Sequence, residues 1–260
     1  MNSTETFPPT PAWDANLLRD PHAVADKRGR VQRMFAAIAP SYDLNNHLHS
    51  LWIDQLWRRK AVRLAALQTN DVVVDVACGT GDLTLQFASA RQKLNGTGRI
   101  IGIDFTYEML PIARRKAADV AGPIGFSTGD AQSLPLPDAC ADVVSIAFGI
   151  RNVADPAIAL AEFRRVLRPG GRLIILEFSL PTNPVLRGFY NFYFRQILPR
   201  TATLISGDKT GAYRYLPQSV NTFIGREQMM EMMRAAGFER VEQHAMTFGV
   251  CICYRGVREA

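Results

Sequence analysis

Cys78-Gly79-Thr80-Gly81-Asp82 follows an apolar run that contains Asp75, so VVVDVACGTGD reads as a buried strand entering a glycine turn at the head of a helix. Glycines there let the backbone bend sharply and approach a ligand closely. The dinucleotide fingerprint would place a third glycine where Thr84 stands. A pyrophosphate at this turn would also meet two carboxylates, Asp75 and Asp82, which repel it. S-adenosylmethionine has no phosphate and carries an ammonium and a sulfonium, so acids around the turn suit it. Asp75, Gly79, Thr80 and Gly81 are therefore candidate cofactor-binding residues.

Two further acids extend the pattern. Asp104 ends the run RIIGID, where a carboxylate can accept hydrogen bonds from both ribose hydroxyls. Asp130 follows the run IGFST in GDAQSLP, placed to accept from an adenine amino group while the Ala131 N–H faces the ring. Any one of these acids would be an ordinary strand-end residue. Together, at the carboxyl ends of successive strands, they favour a methyltransferase using S-adenosylmethionine over a dehydrogenase or a non-catalytic binder of that cofactor.

The elements that must position these residues form an α/β pattern from Asp71 onward. Strands are expected at 72–77, 99–104, 124–128, 142–149 and 172–178, with helices between them at about 82–92, 107–120 and 155–167. The last helix stops at Arg168-Pro169-Gly170-Gly171, where proline cannot continue it and glycine permits a reversal. ERVEQHAMTF and VCICYRGV, parted by Gly249, suggest a closing hairpin. The expected fold is a doubly wound, mostly parallel, seven-stranded Rossmann-like sheet. Residues 27–68 read as helices before the first strand, and 180–236 as a helical insert between strands five and six. Both are assigned to covering the substrate, with helices that merely pack as the alternative. Residues 1–26 are expected to be a disordered tail and 27–260 a single domain.

Composition narrows the setting. The chain has 260 residues, 47% of them hydrophobic, enough for one substantial core. MNSTETFPPTPAWD does not read as a secretory signal, and no apolar stretch is long enough to span a membrane. Four cysteines without a CxxC spacing fit reduced thiols in a cytoplasmic protein, and no metal site is expected. The net charge of +6 is a mild excess, with the basic residues scattered. Short groups such as Arg58-Arg59-Lys60 read as solvated helix faces, and nothing supports nucleic-acid binding.

From about Val31 to Gly256 the chain resembles the demethylmenaquinone and 2-polyprenyl-benzoquinol C-methyltransferases of menaquinone and ubiquinone biosynthesis. MFAAIAPSYDLNN, DVACGTGDLT, SIAFGIRNV, RVLRPGGRLIILEFS and AYRYLPQSV carry the resemblance. It implies that Thr80, Asp104, Asp130 and Ala131 contact S-adenosylmethionine, and that a polyprenylated quinol is the substrate. Some members have a serine where Ala147 stands, and the family tends to have an acid at the position of His47, which is given no role on that ground. The short linkers and AYRYLPQSV sit nearer the menaquinone members. A dual-function enzyme and one acting on another lipid acceptor are the alternatives.

Methylation of a ring carbon needs an electron-rich ring, which a quinol supplies as a hydroxyl gives up its proton. Arg151 and Asn152, in the loop after the fourth strand, are the candidate catalytic pair: Arg151 to stabilise the phenolate and Asn152 to fix the geometry. A structural ion pair is the competing reading of Arg151. Tyr42, Tyr213 and Tyr215 are candidate quinol-binding residues. GFYNFYFRQIL offers an apolar face that could line an isoprenoid groove or rest on a membrane surface, and a buried core helix explains it equally well. Peripheral membrane contact and a homodimer are further expectations.

Overall fold

The computed structural model describes residues 12–259. Seven strands form one sheet in the order β3-β2-β1-β4-β5-β7-β6. They are β1 (Val73–Val76), β2 (Ile100–Asp104), β3 (Ile124–Thr128), β4 (Ala141–Ala147), β5 (Leu167–Phe178), β6 (Phe238–Met246) and β7 (Cys251–Arg258). The first five are parallel, and β7 runs antiparallel to both β5 and β6. The expected mostly parallel sheet and the closing hairpin are both present. The order reverses at β1, which pairs with β2 on one side and β4 on the other. Ligands of open α/β sheets bind beyond the carboxyl ends of the strands at such a switch point.

Three crossover helices lie where expected: α4 (Asp82–Lys93), α5 (Leu110–Ala117) and α6 (Pro156–Val166). Asp155 caps α6 by accepting from the Ala157 and Ile158 N–H groups at 2.8 and 3.3 Å. One sheet face buries Val74, Val76, Ile146 and Ile175 against Leu160, Phe163 and Met233. The other buries Val73, Val143 and Ile174 against Trp57, Ala61 and Phe87. The alternation of strand side chains thus fixes which residues each helix layer covers.

The two regions assigned to substrate covering divide physically. Of residues 27–68, α1 (Lys27–Ile38) and α2 (Tyr42–His49) lie over the strand ends, whereas α3 (Ile53–Leu64) packs Trp57, Ala61 and Val62 into the sheet core. Of residues 180–236, α7 (Pro184–Phe192), the π-turn Tyr193–Ile197, α8 (Leu198–Ser206) and α9 (Ala212–Asn221) complete the cover. The last helix, α10 (Arg226–Ala235), buries Met229, Met230 and Met233 against the sheet.

The tail departs from expectation. Residues 1–11 of the segment read as disordered lie outside the described residues, but 12–26 are packed. Trp13 is fully buried among Val31, Met34, Ala202 and Tyr215, and stacks on the Tyr215 ring at 4.4 Å. Its backbone N–H donates to the Thr210 carbonyl at 3.1 Å. One buried indole outweighs the polar, proline-rich composition around it.

Candidate active site

The ends of β1, β2 and β4 and the turn after β3 surround a cavity of about 770 Å³, walled by Gly79, Asp104, Asp130, Ala131, Phe148 and Asn152 among others. Ala77 and Phe148, which immediately follow β1 and β4, both hold positive φ, an uncommon conformation for residues with side chains. The strand ends meet so closely that a Cβ on Gly149 would lie 2.6 Å from that of Ala77. Gly79 and Gly81 turn the chain at φ +55° and +88°.

Asp104 braces this turn. Its Oδ2 accepts from the Gly79 N–H and its Oδ1 from the Thr106 N–H, both at 2.7 Å. Burial raises its pKa, and the backbone donors pull the other way. Asp130 accepts from the Gln132 N–H at 3.0 Å and pairs with Arg28 at 3.0 Å, whose guanidinium lies 4.5 Å over the Phe105 ring. Arg28 and Phe105 thus line the same cavity as the acids.

Three expected cofactor contacts fall elsewhere: Asp75, Thr80 and Gly81 do not line the cavity. Strand alternation turns Asp75 toward α4, where its carboxylate accepts from Thr84 at 2.6 Å and Ser145 at 2.7 Å. Burial pushes its pKa up to about 6. Thr80 donates to Asp43 on α2. These residues hold the turn in shape and tie it to the cover.

A second cavity, of about 620 Å³, shares Phe35, Tyr42 and Phe148 with the first. Tyr42 therefore stands at the junction. Arg151, Tyr213 and Tyr215 line the second cavity. Arg151 is only 4% exposed, donating through Nη1 to Glu177 at 2.6 Å and the Phe148 carbonyl at 2.7 Å, and through Nε to Ser219 at 3.3 Å. The ion-pair reading of Arg151 is thus realised, in the wall of the cavity. Burial raises the Glu177 pKa while Arg151 opposes the rise. Asn152 lines the first cavity, and its Oδ1 accepts from the Tyr215 hydroxyl at 2.9 Å.

Arg58, read from sequence as solvated, lines the second cavity with 6% exposure. Its guanidinium lies 5.2 Å over Phe148, that of Arg151 lies 5.5 Å over Phe178, and the two rings are 4.6 Å apart. Two cations thus flank an aromatic pair. The charge run of Arg58-Arg59-Lys60 hid this, although the four-residue spacing from Asp54 to Arg58 runs beside buried Trp57 and Ala61. A third cavity, of about 1020 Å³, shares Asn46, Ser50, Phe178, Tyr213 and Leu216 with the second and is largely apolar, with Tyr190, Phe194 and Leu198 in its wall.

Asp43, His47 and Asp82 come within 4.8 Å of one another, but the Lys116 ammonium already sits 2.8 Å from Asp43 and 2.5 Å from Asp82. The cluster is an ion-pair network fastening α2 to α4 and α5.

The ubiE/COQ5 methyltransferase family model matches residues 23–258. The chain belongs to this family. Within the ubiE/COQ5 family it is 46% identical to a demethylmenaquinone methyltransferase of Deinococcus radiodurans, covering 86% of this chain and 91% of that one. It is 42% identical to a ubiquinone/menaquinone biosynthesis C-methyltransferase UbiE of Citrifermentans bemidjiense, covering 91% and 100%. A crystal structure of a SAM-dependent methyltransferase from Thermotoga maritima shares the fold at TM-score 0.58 and 23% identity, over 88% of this chain and all of that one. The ubiE/COQ5 family is one of methyltransferases, and in this chain the glycine turn, the strand-end acids and the first cavity lie at the carboxyl ends of the parallel strands.

Proposed function

We propose that this chain methylates a ring carbon of demethylmenaquinol with S-adenosylmethionine, giving menaquinol. The observation carrying this reading is the run of three adjoining cavities, from an acid-lined pocket at the switch point, through a two-arginine aromatic chamber, to a largely apolar groove. That series matches a charged nucleoside cofactor, an oxygen-bearing ring and a prenyl tail. The relatives named as demethylmenaquinone methyltransferases support the naphthoquinol. Those named UbiE favour a second reading, in which the benzoquinol precursor of ubiquinone is accepted as well.

The donor set of the first cavity fits S-adenosylmethionine. Gly79, Asp104, Asp130 and Ala131 line it together, and Asp104 would accept from the ribose hydroxyls and Asp130 from the adenine amino group, with the Gly79 turn allowing close backbone approach. Bound there, the cofactor supplies an electrophilic methyl group. Tyr42 at the junction confines the ring edge, and Tyr213, Tyr215 and Phe148 line the chamber with it. Arg151 stabilises negative charge on a ring oxygen, held against drifting by Glu177. Asn152, fixed by Tyr215, sets the loop between the two cavities.

The protein works in the cytoplasm, docked on a membrane. Leu51, Trp52, Phe189, Phe192, Leu204 and Phe248 are each more than half exposed, close in sequence to residues that wall the third cavity. Residues 180–207 carry Arg187, Arg195 and Arg200 and no acid, which suits an anionic lipid surface. Among the described residues no helix is long and apolar enough to cross a membrane.

The test supplies labelled S-adenosylmethionine with chemically reduced demethylmenaquinone or, in parallel, a demethylated ubiquinone precursor. Label in the naphthoquinol alone is the expected result, and label in both supports dual function. If neither accepts label while the cofactor still binds, the quinol reading falls.

A further inference from the structure

We propose that Asp54, backed by His47, is the proton acceptor for the ring hydroxyl of the substrate, an inference that rests on the quinol reading above. Among the described residues Asp54 is the one carboxylate in the wall of the second cavity. Arg58 and Arg151, also in that wall, are guanidiniums and cannot accept. Burial raises the pKa of Tyr42, Tyr213 and Tyr215, so each phenol keeps its own proton.

The two oxygens of Asp54 are unequally engaged. Oδ2 faces Arg58 Nη1 at 2.9 Å, His47 Nδ1 at 3.0 Å and Gln55 Nε2 at 3.2 Å. Oδ1 accepts one hydrogen bond, from the Ser50 hydroxyl at 2.7 Å, and Ser50 also lines the cavity. Oδ1 therefore has capacity for a second donor, and its neighbour shows that this side of the carboxylate adjoins the cavity. Behind Oδ2, His47 Nε2 lies 3.5 Å from Asp82, whose other oxygen holds Lys116, and the His47 side chain is 18% exposed. The pair spans from the chamber to the surface. The Arg58 contact lies within α3, and fastening α2 to α3 would need the His47 contact but no carboxylate in the chamber wall.

The step balances as follows. The ring O–H bond breaks and its proton passes to Asp54. Its electron pair moves through the ring into the new carbon–methyl bond as the methyl–sulfur bond breaks, with that pair staying on sulfur. The proton on the methylated carbon then leaves to water, and Asp54 returns its proton to the ring oxygen. One proton is released per turnover, with no change of redox state.

The experiment compares wild type with Asp54→Asn in anaerobic quinol methylation from about pH 6 to about pH 9, alongside cofactor and quinol binding by calorimetry and tryptophan quenching. The expected result is a loss in kcat of about 100-fold at neutral pH with both affinities retained. The deficit should shrink as alkali ionises the ring hydroxyl, because hydroxide then replaces the acceptor. Asp54→Glu should recover part of the rate, and His47→Asn should show a smaller deficit of the same pH form, which serves if Asp54→Asn fails to fold. A deficit equal at every pH, in either variant, would mean a structural role and overturn the proposal. Failure of the wild type to methylate any quinol would instead remove the reading beneath it.

Discussion

The Tyr215 hydroxyl donates a 2.9 Å hydrogen bond to Asn152 Oδ1 while the Tyr215 ring stacks at 4.4 Å on Trp13. A residue near the start of the chain thereby supports the loop beside the first and second cavities. Tyr215→Phe keeps the stack and removes the hydrogen bond. It should lower kcat about fivefold with little change in cofactor affinity, because one neutral hydrogen bond is worth about 1 kcal/mol. Steady-state kinetics beside calorimetric cofactor binding would separate the two effects.

Trp13 itself is a stability residue. Its side chain is fully buried, so Trp13→Ala should cost about 3–5 kcal/mol and lower the Tm by several degrees. Trp13→Phe should restore most of it. Calorimetric or fluorescence melts decide this, and a Trp13→Ala protein melting like wild type would show that 12–26 does not pack in solution.

Asp104 holds two backbone N–H groups, one from the glycine turn. Asp104→Asn replaces one acceptor oxygen with a donor facing an N–H, so cofactor affinity should drop at least tenfold. Asp75→Asn, whose side chain lies outside the cavity, should affect binding less. Titration calorimetry on the two variants ranks them directly.

Lys27 is 4% exposed and donates to the Val153 carbonyl at 2.6 Å. Burial, aided by Arg151, lowers its pKa to about 8. Between about pH 8 and its ordinary value, the unfolded chain binds a proton that the folded one has released, so this group makes stability rise with pH there. Below about pH 8 the buried ammonium is a full cost. Lys27→Met should stabilise the protein by about 2 kcal/mol at neutral pH, with the gain shrinking toward alkaline pH. Denaturant midpoints measured across that range would show it, and a pH-independent difference would contradict the sign.

The sheet was legible because β-branched runs alternate with amphipathic stretches, and the meeting of Asp104 and Asp130 in one cavity because strand ends converge at one edge. Asp75 lies outside that cavity, which the same pattern did not reveal. An acid near a strand end points up into the site or sideways into a helix layer according to a one-residue alternation that spacing alone does not reveal. Arg58 and Asp54 were hidden because a charge run on a helix resembles a solvated face until tertiary packing turns that face inward. Trp13 was hidden because a single aromatic carries little weight in a polar, proline-rich stretch. The division of the two covering regions into lid helices and the sheet-packing α3 and α10 depends on contacts far apart in sequence.

The most direct test of carbon methylation is the position of the label. The purified protein, given reduced demethylmenaquinone and S-adenosylmethionine with a labelled methyl group, should yield menaquinol carrying the label on a ring carbon, read by mass spectrometry and nuclear magnetic resonance of the reoxidised quinone. A label on a ring oxygen, or none in the quinol while the cofactor binds, would contradict it.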